Sequence, residues 1–259
     1  MNKAGSPSSA SYIHPDAEIE EGVEIGPFCH IGPHVKIGAG CVIKPYAMLD
    51  WTKLAPGCVI GAKSVIGGDP QFLNWKNVES WVEVGEGTLI NELTVVHRSI
   101  HKGQSTIIGA NCFIMSQTHI GHDCVLGDEV TFSSLAGLSG HVRLGNRVVV
   151  GGGAVMHQFV RVGDMAMVGG ASRIVQDVLP CFTVTGNPAQ AHGLNTYALR
   201  KFKIGAEDRT NLKRAYKILV RSGLAIPSAA QKIEEEMGRD GLIGDLLEHI
   251  AKSERGLTL

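Results

Sequence analysis

The fold of this chain is decided by residues 108–179, IGANCFIMSQTHIGHDCVLGDEVTFSSLAGLSGHVRLGNRVVVGGGAVMHQFVRVGDMAMVGGASRIVQDVL. Within this stretch a large apolar residue recurs at every sixth position: Ile108, Ile114, Ile120, Leu126, Phe132, Leu138, Leu144, Val150, Met156, Val162, Val168 and Ile174. A period of six is neither the 3.6 residues of an α-helix nor the two residues of an alternating β-strand. Hexapeptide repeats are typical of a parallel β-helix, in which each unit supplies one short strand and one turn. We therefore expect three units to close one triangular coil.

The repeat extends well beyond this stretch. It begins at Ile13, is interrupted twice, and ends before Pro180 and Pro188, which stop the pattern. We therefore expect a disordered tail over 1–11, a parallel β-helix over 12–188 with outward loops near 67–81 and 97–107, and an α-helical domain over 189–259. The fold class is thus an all-β solenoid with a C-terminal helical cap. Because loops inserted into a solenoid often collect on its binding face, both loops are candidate walls of a site.

Composition argues against several classes of protein. The formal net charge of −1 gives no reason to expect binding to nucleic acid or to an anionic membrane. No apolar run reaches the roughly 20 residues of a membrane span, and residues 1–11 lack the apolar segment of a secretory signal. We therefore expect a cytoplasmic protein with no stable membrane insertion.

The cysteines support the same location. Five of them fall at one position of the repeat, four residues after the large apolar residue: Cys29, Cys41, Cys58, Cys112 and Cys124. A thiol at that position is expected to be a small buried hydrophobe and not half of a disulfide framework. The pattern therefore predicts a reduced protein.

Histidines provide the candidate chemistry. One coil is expected to span three six-residue units, so the position one coil after His122 is occupied by Gly140, next to His141, and the next by Gln158, beside His157. Histidines on successive coils would be separated by about 5 Å, the spacing between neighbouring strands. His119 lies three residues before His122. This clustering indicates a site, whereas an isolated histidine is more often structural or solvated.

The residues around His122 fit acyl transfer. Asp123 follows directly and could orient the imidazole, which is the arrangement of a general base with its carboxylate partner. Gly140 could offer a backbone N–H to an oxyanion. Ser139 lies one coil from His122 and has no base of its own in the sequence. A direct transfer, in which His122 deprotonates an acceptor hydroxyl or amine, needs no covalent intermediate.

Two features leave alternatives open. Three histidines on adjacent coils could instead bind zinc and activate water, as in a carbonic-anhydrase-like β-helix. The predicted cap is locally basic, with eight Lys or Arg between Arg200 and Arg221 against Glu207 and Asp208. That charge is either a solvated helix face or a docking surface for an acidic partner.

The chain from about Ile13 onward resembles the acyl-carrier-protein-dependent UDP-N-acetylglucosamine O-acyltransferases that begin lipid A synthesis. The resemblance depends on His119-Ile-Gly-His-Asp123, Ala136-Gly-Leu-Ser-Gly-His141, Met156-His-Gln-Phe159, Gly186-Asn-Pro188 and Arg214-Ala-Tyr-Lys-Ile-Leu-Val-Arg-Ser-Gly223. The hexapeptide repeat alone is weakly specific, because many acetyltransferases share it. The two histidine motifs followed by the Ala-Tyr-Lys helix are far more specific.

The resemblance implies a homotrimer of left-handed β-helices with active sites between subunits, an exception to right-handed crossovers. It implies transfer of a 3-hydroxyacyl chain from acyl carrier protein, with its phosphopantetheine thioester as co-substrate and no metal or other cofactor. His122 would be the general base, Asp123 its partner and Gly140 the oxyanion donor. Gly170 would set acyl length. The sugar nucleotide or acyl donor would be bound by Gln71, His119, His141, His157, Gln158, Asn195, Arg200 and Lys201.

The sequence departs from the family pattern in two places. Where the family has a Gln-Asp-Leu-Lys run, this chain has Gln71-Phe-Leu-Asn74, and where the cap has paired arginines it has Lys201-Phe202. Both changes concern the acceptor. A sister enzyme that acylates a UDP 3-amino sugar or another nucleotide sugar is therefore the first alternative, followed by the zinc enzyme and by a non-catalytic scaffold.

Overall fold

The computed structural model describes residues 10–259. They form a left-handed parallel β-helix with a C-terminal helical cap, which confirms the predicted fold class. The predicted tail over 1–11 lies outside the described residues except for its last two. Ser11 is not disordered, because its hydroxyl donates to the carbonyl O of Gly26 (2.7 Å) and accepts from the N–H of Cys29 (3.1 Å).

Three sheets of parallel strands form the sides of the prism, and from β1 to β25 successive strands belong to sheets A, B and C in turn. Sheet A contains β1 (Tyr12–Ile13), β4 (His30–Ile31), β7 (Met48–Leu49), β10 (Val65–Gly68), β13 (Val95–His97), β16 (His119–Ile120), β19 (Gly137–Leu138), β22 (Val155–Met156) and β25 (Arg173–Ile174). Sheet B contains β2 (Glu18–Ile19), β5 (Val35–Ile37), β8 (Thr52–Leu54), β11 (Trp81–Val84), β14 (Ser105–Ile108), β17 (Val125–Leu126), β20 (Arg143–Leu144) and β23 (Arg161–Val162). Sheet C contains β3 (Glu24–Ile25), β6 (Val42–Ile43), β9 (Val59–Ile60), β12 (Leu89–Ile90), β15 (Phe113–Ile114), β18 (Thr131–Phe132), β21 (Val149–Val150), β24 (Met167–Val168), β26 (Phe182–Gly186) and β27 (Ala189–Leu194).

The large apolar residue of each repeat is the inward residue of a strand. His119 pairs with Gly137 and Ile120 with Leu138, so partners in the uninterrupted region are one coil apart. Ile120 is fully buried, and Phe132 takes the same inward position without any exposed surface. One continuous core therefore runs along the axis of the prism.

Most turns of the prism use a left-handed backbone conformation. A positive φ recurs every six residues from Asn111 to Ala171, mostly at residues other than glycine. This conformation costs a non-glycine residue on the order of 1 kcal/mol. The cost is offset because the N–H of the turn residue donates to the preceding coil, as from His141 to the carbonyl O of His122 (2.9 Å).

Both interruptions of the repeat leave the prism along one edge, where sheet A turns into sheet B. We call this the A–B edge. The first insertion, residues 69–80, connects β10 to β11, and the second, residues 98–104, connects β13 to β14. Both are shorter than predicted, because the flanking strands extend into the predicted loops and remain paired.

Arg98 fixes the first insertion to the prism. Its side chain is 1% exposed and lies between the rings of Trp51 and Trp75, at 4.7 and 4.8 Å. The guanidinium donates to the carbonyl O of Val78 (2.7 Å) and to Oδ1 of Asn77 (2.8 Å). A buried charge with this many partners holds the loop in a defined position.

The C-terminal region begins with a strand, not a helix as predicted from residue 189. β27 pairs antiparallel with β26, and this hairpin extends sheet C. The four helices that follow are α1 (Thr196–Lys201), α2 (Ala206–Arg221), α3 (Ile226–Met237) and α4 (Gly241–Ala251), which pack around a second apolar core. Within residues 10–259 we find no helix with both the length and the apolar character that crossing a bilayer requires.

Candidate active site

The histidine motifs lie together on the A–B edge. His122 and Asp123 form the turn between β16 and β17, and Gly140 and His141 form the equivalent turn one coil later. The two insertions leave the same edge on the preceding coils. The parallel register of the sheets therefore brings residues that are far apart in sequence to one wall of the prism.

His122 and Asp123 form a hydrogen-bonded dyad. His122 is 7% exposed, and its Nδ1 lies 2.8 Å from Oδ2 of Asp123. A carboxylate only accepts hydrogen bonds, so Nδ1 carries the proton and Nε2 of the neutral ring is an unprotonated base.

The second insertion holds the Asp123 carboxylate. The Ser99 hydroxyl donates to Oδ1, and the N–H of Ile100 donates to Oδ2 (3.2 Å). The N–H of Asp123 has Thr106 Oγ1 as its acceptor (2.8 Å), because the insertion replaces the carbonyl that a regular coil would supply. Burial raises the pKa of Asp123, but the hydrogen bonds from His122, Ser99 and Ile100 outweigh it and hold this pKa below its ordinary value.

His141 shares a column of turn positions with Asp123 and not with His122. The next residue in that column is Phe159, whose ring stacks on His141 at 4.6 Å and 7°. The rings of His122 and His141 meet edge to face at 5.1 Å. Burial lowers the pKa of His141, although Asp123 acts in the opposite direction.

His157 does not join this cluster within the chain. It is exposed, and its Nδ1 lies 3.2 Å from the carbonyl O of the next residue, Gln158, which is also exposed. The three histidines lie on one edge on successive coils, as expected, because His157 lies between β22 and β23, but the exposed ring of His157 is not stacked on the other two. The residues one and two coils after His122 are Gly140 and Gln158. His141 follows the first of these positions and His157 precedes the second, and neighbouring residues in a turn direct their side chains differently.

A second pair of histidines lies behind the dyad. Nδ1 of His119 lies 3.2 Å from the carbonyl O of Leu138, and Nδ1 of His97 lies 2.7 Å from the carbonyl O of Asp69. Each Nδ1 must be the donor, so each Nε2 is an acceptor, and both Nε2 atoms are buried with no partner in the described part of the chain. Burial lowers the pKa of both rings. The sequence analysis did not identify His97 as a site residue, although its position at the start of the second interruption could have indicated one.

The ring of His122 leaves no room for a side chain at position 140, which is occupied by Gly140. A Cβ at this position would lie 2.4 Å from Cε1 of His122, well inside contact distance. Among residues 10–259 we find no acceptor for the N–H of Gly140. The turn therefore leaves a free donor beside the base.

The first insertion contributes an aromatic ring to the site. Phe72 meets His122 edge to face at 5.9 Å and 73°, and it is 48% exposed. Gln71 beside it is also exposed. The sequence identified Phe72 only as a departure from a family pattern, because a loop of this length gives no signal of where its tip will pack.

Four of the candidate residues lie away from the dyad. Gly170 occupies the edge between sheets C and A, and Arg200 and Lys201 are exposed on α1. Asn195 is 5% exposed and caps α1: its Oδ1 accepts from the N–H of Ala198 (3.0 Å), and its Nδ2 donates to the carbonyl O of Met165 (2.8 Å). Asn195 thus has a structural role that the sequence analysis did not foresee.

The geometry does not favour the zinc alternative. Within residues 10–259, the group of three whose ligand atoms come within 4.8 Å of one another is His101, Asp123 and His141, and not the three histidines expected from the spacing. Ligand atoms at a tetrahedral zinc are about 3.3 Å apart. In addition, Oδ2 of Asp123 already accepts from His122 and Ile100.

Comparison with known proteins identifies the family. Residues 177–258 match the model described as Udp N-acetylglucosamine O-acyltransferase, domain 2, residues 105–140 match the bacterial transferase hexapeptide (six repeats), and residues 8–103 match the GMPPB C-terminal domain. The acyl-[acyl-carrier-protein]–UDP-N-acetylglucosamine O-acyltransferase of Psychrobacter sp. (strain PRwf-1) is 42% identical over 258 residues, covering 95% of this chain and 98% of that protein. The protein of the same name from Thermodesulfovibrio yellowstonii is 38% identical over 247 residues, covering 95% and 96%.

Solved structures agree. LpxA from Bacteroides fragilis 9343, a UDP-N-acetylglucosamine acyltransferase, superimposes with a TM-score of 0.94 at 33% identity, covering 97% of this chain and 99% of that one. LpxA from Acinetobacter baumannii gives a TM-score of 0.93 at 35% identity, covering 97% and 98%. The chain belongs to the UDP-N-acetylglucosamine O-acyltransferase family. The similarity to these O-acyltransferases extends over 95–97% of the chain and therefore includes both the β-helix and the helical cap.

The contact between Gly140 and His122 can be tested in this O-acyltransferase. We expect Gly140→Ala to lower acyl transfer on the order of a hundred-fold, because the new methyl group displaces the His122 ring by an ångström or more. Gly137→Ala in the preceding strand is the matched control, since its Cβ would meet only Val155 Cγ1 at 3.9 Å. Steady-state rates, with melting temperatures to show that both variants fold, distinguish the two. Equal rates for both variants would contradict the contact.

Proposed function

We propose that this chain transfers a 3-hydroxyacyl group from acyl carrier protein to the glucosamine 3-position of UDP-N-acetylglucosamine, the first step of lipid A biosynthesis. The observation that carries the proposal is the buried His122–Asp123 dyad on the A–B edge of a member of this family. The two insertions, on the coils before the dyad, form the walls of this site.

The dyad supports direct transfer. His122 Nε2 takes the proton of the sugar 3-hydroxyl as its oxygen attacks the thioester carbonyl. The Asp123 carboxylate stabilises the imidazolium that forms, and the free N–H of Gly140 donates to the oxyanion of the tetrahedral intermediate. When the intermediate collapses, the C–S bond breaks and the proton on His122 passes to the phosphopantetheine thiolate. The thioester is the co-substrate, and the steps require no metal or other cofactor.

The remaining site residues are assigned to binding. The buried Nε2 of His119 is an acceptor without a partner, and a sugar hydroxyl or amide N–H would satisfy it. The ring of His141, stacked on Phe159, forms the adjoining wall. We assign Gln71, His157, Gln158, Asn195, Arg200 and Lys201 to the sugar nucleotide or the acyl donor. For Asn195 the second Nδ2 proton and the second lone pair of Oδ1 are left for a ligand.

The surface of the prism supports a homotrimer. Outward residues of sheet B include Glu18, Lys36, Lys53, Glu83, Arg143 and Arg161. Outward residues of sheet C are mainly apolar, including Val42, Val59, Leu89, Phe113, Val149 and Met167, and those of sheet A include Met48, Val65, Val95 and Val155. Three copies that pack sheet A of one against sheet C of the next would bury both apolar faces.

Such a trimer would account for His157 and Gly170, two of the candidate residues that do not contact the dyad within one chain. The A–B edge of one copy would adjoin sheet C of its neighbour, so a site between subunits could include His157 and Gly170. We propose that acyl length is set at Gly170, where a side chain would narrow the groove.

The cap suits an acidic carrier protein. Arg200, Arg209 and Lys213 line a groove of about 300 Å³ between α1 and α2. Complementary charge at such a surface accelerates encounter with an acidic partner. The buried, unpaired thiols of all six cysteines are compatible with a cytoplasmic, reducing location.

A second acceptor has one observation in its favour. Phe72, which replaces an acidic residue of the family pattern, lies against His122 itself. A phenyl ring contacts the acceptor differently from a carboxylate. The alternative substrate class is therefore a UDP 3-amino sugar or another nucleotide sugar.

The test is a competition assay with mass-spectrometric detection. Purified protein receives a mixture of 3-hydroxyacyl carrier proteins together with UDP-N-acetylglucosamine and its 3-amino analogue. We expect acylated UDP-N-acetylglucosamine as the main product. Product from the amino analogue alone would establish N-acylation, and no product from either would refute the proposed function.

His122→Ala should lower kcat on the order of a hundred-fold or more, because the general base is lost. His192→Ala is the matched control, since His192 is exposed on β27 away from the dyad. The two variants are compared in the same product assay. Turnover of His122→Ala at the wild-type rate would remove His122 from the mechanism.

Gly170→Met should shift preference towards shorter acyl chains, because the added side chain occupies the proposed groove. A Cβ at this position would lie 3.2 Å from the carbonyl O of Gly152, so a small adjustment accommodates it. Gly170→Ala should give a smaller shift in the same direction. The measurement is the ratio of products from donors of different length, and unchanged ratios in both variants would place the groove elsewhere.

A further inference from the structure

Asp123 has two histidine neighbours, and only one of them can complete the dyad. Oδ2 lies 2.8 Å from Nδ1 of His122 and 3.9 Å from Nε2 of His141. A modest rotation of the carboxylate would bring it within hydrogen-bond distance of His141 and away from His122. Some other contact must therefore decide which imidazole Asp123 orients.

That contact comes from the second insertion. The Ser99 hydroxyl also accepts the N–H of His101 (2.9 Å), which leaves its own proton for Oδ1 of Asp123. The acceptor is an ionised carboxylate, so this is a charge-assisted hydrogen bond. The N–H of Ile100 donates to Oδ2 (3.2 Å), so with Oδ1 fixed by Ser99 the carboxylate is held with Oδ2 directed to His122.

Ser99 is itself held rigidly. It has no exposed surface, and its carbonyl O accepts the hydroxyl of Ser80 (2.6 Å), which is also fully buried and lies in the first insertion. The preceding residue, Arg98, carries the contacts that fix the first insertion to the prism. The two insertions thus support one another at the point where they meet the dyad.

We propose that Ser99 is a positioning residue that selects His122 over His141 as the partner of Asp123. It does not touch the reacting atoms and acts through the carboxylate. The inference rests on the proposed function for its kinetic consequence, whereas the selection itself is a property of the free protein.

The first arm of the test needs no substrate. The hydrogen-bonded Nδ1 proton of His122 should give a low-field proton NMR signal in the free wild-type protein, identified by its loss in Asp123→Ala. We expect this signal to be lost or broadened in Ser99→Ala and in Ser99→Cys, which keeps the side-chain volume with a poor donor. A signal unchanged in both variants overturns the inference even if no substrate is ever turned over.

The second arm is kinetic. We expect Ser99→Ala to lower kcat about tenfold with little change in KM, the size of one lost hydrogen bond to a charged group. In an Asp123→Ala background the same substitution should have no further effect on kcat. Ser64→Ala, at another fully buried serine on a different edge, is the control for loss of a buried hydroxyl. A wild-type kcat in Ser99→Ala, or an equal loss with and without Asp123, contradicts the inference, whereas an inactive wild type contradicts the proposed function alone.

Discussion

The whole structure depends on the hydrogen bonds between successive coils. Each strand is only two to four residues long through most of the prism, so no strand is stable alone. Stability comes from stacking each strand on its equivalents in the coils above and below, about 4.8 Å apart. The left-handed residues of the regular turns are tolerated because most of their N–H groups donate to the preceding coil.

This constraint converts position in the repeat into position in space. Residues one coil apart form columns, and the A–B edge places Asp123, His141 and Phe159 in one column and His122, Gly140 and Gln158 in the next. The candidate active site therefore depends on the regular stacking of the coils. A glycine in one column makes room for an imidazole from the coil before it.

The two insertions interrupt the regular stacking at one edge and bring additional groups to the dyad. The second insertion removes the backbone acceptor that the N–H of Asp123 would have used, and Thr106 supplies a hydroxyl in its place. The same loop brings two donors to the carboxylate, and the first brings the Phe72 ring to His122. Buried Arg98 links the two loops, because its guanidinium donates to the carbonyl O of Val78 and to Oδ1 of Asn77.

The sequence by itself determined the β-helix, the pairing of His122 with Asp123 and the two places in the chain where the repeat is interrupted. A six-residue period is typical of this one fold, and adjacent residues need no tertiary model to be placed together. Only the tertiary structure decided that the exposed ring of His157 is not stacked on the other two histidines, that Asn195 caps a helix, and that residues 189–194 form a strand. It also decided where Ser99, His97 and Phe72 lie relative to the dyad. These depend on side-chain direction at turns and on the path of irregular loops, which packing fixes and which no periodicity encodes.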